Sequence, residues 1–225
     1  MRVACRRNRL GTMQVRLPLS KTVLSTIAFV AWAALITFGT ASLIIDSSKT
    51  GLSGTAPWHF PESETGIHQG PNPVLLVFLH PHCPCSRSIL EQIQTILDSH
   101  RGKVDCRIYV VVPPQAMEGW ENGTIVNQLR AFEKATVEID RNGIIASQFS
   151  ANTSGQVLLY RSDGVLAFSG GITSPQSHVG QCPGLLALVA RLQNDELPHL
   201  QSPVFGCPLF NSFADCKEGK PCKKE

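Results

Sequence analysis

The chain has 225 residues, of which 43% are hydrophobic, and a formal net charge of +3. That is room for one domain of ordinary size with appendages. So small a charge, much of its basic part at the two ends, argues against a nucleic-acid partner, and no internal repeat is visible.

Residues 1–21 carry Arg2, Arg6, Arg7, Arg9, Arg16 and Lys21 and no acid, and residues 22–45 then run without a charge. A bilayer-spanning helix needs about 20 apolar residues, so this run is predicted to be a transmembrane anchor. A basic flank stays in the cytoplasm, which places the rest of the chain in the periplasm or at the cell exterior, beyond a cytoplasmic membrane. A cleaved signal peptide is the alternative. Its apolar core is shorter, roughly 7–15 residues, although Thr40, Ala41 and Ser42 offer small residues for cleavage. Residues 46–72 are rich in Ser, Gly, Thr and Pro and read as a linker.

A regular pattern occupies residues 73–197. Val74–Leu79 is a continuous apolar run, as in a strand buried on both faces. Ser86–Ser99 carries an apolar stripe of Ile89, Leu90, Ile93, Ile96 and Leu97, which predicts a helix. Val104–Val112 alternates and predicts a strand, ended by Pro113 and Pro114. Ile125, Val126, Leu129 and Phe132 give a second helical stripe, with Thr124 as N-cap. A short strand, Ala135–Ile139, turns through Asp140 to Gly143 into a short helix near residues 144–149. Gln156–Tyr160 and Val165–Ser169 flank Ser162-Asp163-Gly164, a hairpin signal. Leu185 to Leu192 forms a last helix, with Pro183 in its first turn. Residues 198–225 are a Cys-containing tail.

The chemistry concentrates in Phe78-Leu79-His80-Pro81-His82-Cys83-Pro84-Cys85-Ser86, where two thiols one residue apart sit at a strand-to-helix junction. A helix N-terminus offers unpaired N–H groups and partial positive charge, both of which favour a thiolate. Thiolate is the form that attacks disulfides and binds soft metals. Cys83, expected to be the more exposed, is the candidate attacking thiol, and Cys85 the resolving one. His80 and His82 would lower the thiol pKa when protonated, or they simply flank the loop. A Cys83–Cys85 disulfide would close a small ring stiffened by Pro84, so it is expected to be strained and easily reduced. The same atoms form an alternative metal set, His82, Cys83 and Cys85, suited to copper or zinc. His178 and Cys182 are a candidate source of further ligands.

The chain has eight cysteines; Cys5 precedes the apolar run and seven follow it, in a compartment where disulfides persist. Cys106, on the apolar face of its strand, reads as a buried thiol. Cys182 is a third redox thiol or a disulfide partner of Cys207, and Cys216 and Cys222 are expected to close a loop in the tail.

This order of elements, with a Cys pair at the first helix start, resembles the thioredoxin fold over about Pro71 to Asn194. With the anchor, the chain is similar to the membrane-tethered thioredoxin-like family of TlpA and ResA type, most closely the group labelled RedB. Supporting strings are Val137 to Asp140, Thr153 to Leu159 and Gly170-Gly171-Ile172. The resemblance implies an α/β domain with a central mixed sheet flanked by helices, a catalytic Cys83 and Cys85, a protein thiol or disulfide as partner, and no resident cofactor. Two departures matter. The family's CxxC is CxC here, and the family's cis-proline position before the hairpin holds Gly155. That proline positions a substrate chain and keeps metals off the thiols, so Gly155 strengthens the metal reading. Three functions therefore stand: an extracytoplasmic thiol–disulfide oxidoreductase, a copper or zinc binding and delivery protein, and a noncatalytic interaction domain.

Overall fold

The structure is a computed structural model that describes residues 21–47, 49–62, 70–114, 116, 119–122, 124–130, 132, 134–175, 180–193 and 198–210. His178, Cys5, Cys216 and Cys222 lie outside the described residues. The chain divides into two compact units, Met1–Ile45 and Asp46–Glu225.

In the first unit, helix α1 begins; the helix as a whole runs Lys21–Ser47. Its segment Lys21–Ile45 is long and apolar enough to cross a membrane, with a mean hydropathy of 2.0. Its apolar side chains, among them Phe29, Trp32, Leu35 and Phe38, are exposed.

The second unit is built on one sheet. In chain order its elements are β1 (Val74–Leu79), α2 (Ser86–Ser99), β2 (Asp105–Val112), α3 (Thr124–Arg130), β3 (Thr136–Arg141), α4 (Ile144–Gln148), β4 (Gln156–Tyr160), β5 (Leu166–Gly170), α5 (Pro183–Gln193) and β6 (Leu200–Gln201). The strands lie in the order β3-β2-β1-β4-β5-β6. β1, β2 and β3 are parallel, β4 is antiparallel to β1, β5 is antiparallel to β4, and β6 is parallel to β5. The predicted strands and helices all form, with ends moved by a residue or so; β6 is too short and polar to have left a periodic signal.

β1 is central, and its uninterrupted apolar run has a direct cause. Leu75, Val77 and Leu79 pack into a core with Ile89 and Ile93 of α2, Val126 and Leu129 of α3, and Leu188 of α5. Val74, Leu76 and Phe78 face the opposite core, with Phe149, Tyr160 and Ala146. Every residue of β1 is therefore buried, and no position could carry a polar group without a partner. Within the second core, Phe149 lies against Phe60, Phe78 and Tyr160 at ring-centroid separations of 5.5, 5.9 and 5.9 Å. α4, the cover on that side, is held by Asp140, whose carboxylate accepts hydrogen bonds from the N–H groups of Ile145 (3.1 Å) and Ala146 (2.8 Å).

The stretch expected to be a linker does more than tether. Ala56 and Phe60 are buried in the second core. The Tyr160 hydroxyl donates to the Pro57 carbonyl (2.9 Å), the Leu166 N–H to the Trp58 carbonyl (2.9 Å), and His59 bridges Val165. The domain thus begins well before residue 73. Two scattered apolar side chains in a Ser/Gly-rich segment suffice, because they complete an otherwise open face of the sheet.

The tail's first part also belongs to the domain. Val204 and Leu209 are fully buried, the Gly51 N–H donates to the Val204 carbonyl (2.8 Å), and Thr153 bridges Pro208. Residues 202–209 form a strap that crosses from the β5 edge to the C-terminal end of β1.

Candidate functional site

β1 ends at Leu79, and the chain folds into a tight turn before α2. The Cys83 N–H donates to the His80 carbonyl (3.1 Å) and the Ser86 N–H to the Cys83 carbonyl (3.1 Å). Cys85 is the N-cap of α2, with no side-chain cap bond. Two buried serines lock the turn. The Ser154 hydroxyl accepts from the His80 N–H (2.9 Å), and the Ser86 hydroxyl donates to the His80 carbonyl (3.1 Å).

The CxC thiols meet at this junction, but not with the expected exposures. Cys83 is 1% exposed, whereas Cys85 is half-buried against the first core. The expectation that Cys83 is the more accessible thiol is corrected here. The cover is the strap, which pairs with the loop before β4: the Ser154 N–H donates to the Cys207 carbonyl (2.8 Å) and the Leu209 N–H to the Asn152 carbonyl (2.9 Å).

That pairing brings a third thiol to the site. The thiols and backbone N–H groups of Cys207 and Cys85 lie close enough to the Cys83 thiol to act on it as donors. These donors, those of Cys207 first, hold the Cys83 thiol well below its ordinary pKa, against the opposing effect of burial. Cys83 therefore ionises more readily than an ordinary thiol. Among the described residues no cysteine is in a disulfide. A Cys182–Cys207 disulfide, one of the two readings of Cys182, is not formed: Cys207 lies on the strap paired to Ser154, whereas Cys182 Sγ accepts from the Leu185 N–H (3.4 Å) at the start of α5. Cys106 is buried in the first core, and burial pushes its thiol far up, the setting of an inert cysteine.

His80 is not a source of positive charge for the Cys83 thiol near neutral pH. His80 is 2% exposed, and burial lowers its pKa to about 4. It is neutral near pH 7, with Nδ1 accepting from the His82 N–H (3.2 Å). The His82 ring packs on Trp120, centroids 4.1 Å apart, and its Nε2 donates to the Trp120 carbonyl (2.9 Å). A nitrogen donating to a carbonyl has no lone pair for a metal. That leaves Nδ1 as the ring nitrogen that His82 could offer to an ion beside Cys83 and Cys85; among the described residues no group of three or more His, Cys, Asp or Glu side chains is placed to hold a metal ion.

His80 makes a sign-definite prediction. The unfolded chain takes up the His80 proton near 6.5 and the folded chain only near 4. The stability contributed by neutral His80 is thus complete above pH 6.5 and is lost as pH falls towards 4, by up to about 3 kcal/mol. Urea titrations of the wild type and His80→Gln across that window should show a steeper acid loss in the wild type. Parallel pH profiles would refute it.

Gly155 takes the place expected for a proline, at φ +90°. Proline is locked near φ −65° and cannot adopt that conformation. The Gly155 N–H, which a proline would lack, donates to the Phe78 carbonyl (2.8 Å) and ties this loop to the end of β1. Pro84 is exposed between the two thiols. Ser86 and Ser154 lie in strings that sequence reading singled out, but neither the bonds of their hydroxyls to His80 nor the packing of Trp120 on His82 carries a sequence signal. Cys207 had a signal, a cysteine in the apolar string Val204 to Phe210, but not its destination.

A parallel β-α-β unit, an antiparallel hairpin and a closing helix, with a Cys pair starting the first helix, define a thioredoxin-like fold. No protein-family model and no curated protein matches the chain. Among solved structures it is similar to an uncharacterized conserved protein from Geobacillus kaustophilus, at 15% identity and TM-score 0.53 over 74% of this chain and 95% of that one. It is similar to a hypothetical protein from Sinorhizobium meliloti 1021, at 15% identity and TM-score 0.52 over 74% and 96% of the two chains. An exposed lipoprotein thioredoxin from Streptococcus pneumoniae strain TIGR4 aligns at 15% identity and TM-score 0.39 over 57% and 87%.

Proposed function

We propose that the domain exchanges disulfides with protein thiols through Cys83, held outside the cytoplasm by α1 as a single-pass anchor of the TlpA, ResA and RedB kind. The observation that carries this reading is the position of Cys83, in the turn that starts α2 beside Cys85 and beneath the strap that carries Cys207, where neighbouring donors lower its pKa. A solitary buried thiol is raised in pKa and inert, as Cys106 is; a buried thiolate surrounded by donors and other thiols is arranged for redox chemistry. Attack on a partner disulfide gives a mixed disulfide on Cys83, which a neighbouring thiol then displaces.

The test equilibrates the full chain in detergent micelles with mixtures of reduced and oxidised glutathione and then alkylates the remaining thiols. Reversible two-electron oxidation that includes Cys83 is the expected result. Thiols that stay alkylatable at every ratio would leave a noncatalytic binding domain. Stoichiometric copper or zinc that blocks both oxidation and alkylation would move the function to metal handling.

A further inference from the structure

We propose that Cys207, not Cys85, is the thiol that resolves Cys83, so that the oxidised chain carries a Cys83–Cys207 disulfide. The proposal rests on the exchange reading above and names the second sulfur.

Three observations place Cys207. Val204 and Leu209 are buried and fix the strap on either side of it. The strap pairs with residues 152–154 through the Ser154 N–H and the Cys207 carbonyl, the Leu209 N–H and the Asn152 carbonyl, and the Thr153–Pro208 bridge. Ser154 in turn holds His80, the residue whose carbonyl anchors the Cys83 turn. The loop, the turn and the strap are one hydrogen-bonded unit: Ser154 is bonded to Cys207 on one side and to His80, whose carbonyl holds the Cys83 N–H, on the other, which brings Cys207 beside Cys83. The strap lies against the loop in the manner of a paired extended chain, so it acts as a substrate strand supplied by the protein itself.

Ring geometry separates the two candidate resolving thiols. A Cys83–Cys85 bond must close a ring around Pro84 alone, whose fixed φ limits the adjustment available. Cys207 comes from a distant part of the chain and imposes no such ring. Cys85 then serves Cys83 as a donor, through its thiol and its N–H at the start of α2.

The chemistry balances. Cys83 thiolate attacks one sulfur of a partner disulfide; the Cys83–partner bond forms, the partner's own S–S bond breaks, and one partner thiolate leaves and is protonated. Cys207 gives its thiol proton to solvent and attacks Cys83 Sγ. The Cys83–Cys207 bond forms and the second partner thiolate leaves. Two electrons pass to the partner disulfide, which is the oxidant and ends as a dithiol. The stretch between Val204 and Leu209 yields to the partner for the first step and returns for the second.

The test oxidises the full chain in detergent micelles with oxidised glutathione, quenches it in acid, alkylates it and maps disulfides by peptide fragmentation. The expected product joins Cys83 to Cys207 and leaves Cys85 alkylated. Cys207→Ser should accumulate glutathione on Cys83, and its equilibrium with glutathione should shift at least about tenfold towards reduced protein, roughly 30 mV. Cys85→Ser should still form the Cys83–Cys207 bond. A Cys83–Cys85 disulfide, or a bridge from Cys207 to any other cysteine, would overturn this assignment while leaving exchange itself intact. Absence of any oxidation would overturn both.

Discussion

Cys83→Ser is expected to reduce disulfide exchange by roughly three orders of magnitude, to the uncatalysed background. Serine nearly matches the thiol in size, so packing beneath the strap changes little. What is lost is the anion. A hydroxyl does not ionise near neutral pH, and the donors from Cys85 and Cys207 would then surround a neutral oxygen. Cys106→Ala is the matching control: its thiol is buried in the first core and pushed far up in pKa, so exchange should be unaffected. The measurement is glutathione exchange of the full chain, followed by alkylation and mass spectrometry. Retention of near wild-type exchange in Cys83→Ser would remove Cys83 from the reaction.

Gly206→Ala should uncover Cys83 without touching any sulfur. A Cβ at position 206 would overlap the Ser154 carbonyl oxygen, which is backbone and cannot swing aside. Overpacking of this kind costs about 1–3 kcal/mol. Because the strap's pairing is local, that cost falls on its docked state. Opening should become roughly tenfold to a hundredfold more frequent, and alkylation of Cys83 faster by a similar factor at alkaline pH, where the thiol is ionised in either state. The pH profile should move as well. Withdrawing the Cys207 donors removes the largest influence that lowers the Cys83 pKa, so the midpoint of its alkylation should rise towards the ordinary thiol value. A faster reaction with an unchanged midpoint would show that Cys207 covers Cys83 without stabilising it. No change in either would show that the strap and loop do not bear on the site.

The two predictions differ in how far they could be read from sequence. Cys83→Ser follows from a local pattern: apolar Val74–Leu79, two thiols, then an apolar stripe from Ile89 to Leu97. Strand and helix periodicity and the charge at a helix start all act within a few residues, so half of the site was legible. Gly206→Ala was not. Nothing near Gly206 says that its neighbour will lie against Ser154, because that contact depends on how the strap crosses the finished sheet.

The same division runs through the molecule. The sequence by itself determined the apolar segment of α1, the β-α-β order, the hairpin around Asp163, the burial of Cys106, and the placing of Cys83 and Cys85 at the start of α2. Each rests on side-chain periodicity, turn chemistry or hydropathy, which are properties of neighbouring residues. Tertiary structure decided that residues 56–60 complete a core, that His80 is buried and neutral, that Cys83 is covered while Cys85 is partly open, and that Cys207 reaches Cys83. Burial, and with it thiol and imidazole pKa, depends on what the rest of the chain lays over a group. A strap that arrives from far along the chain carries no periodic trace of where it will land.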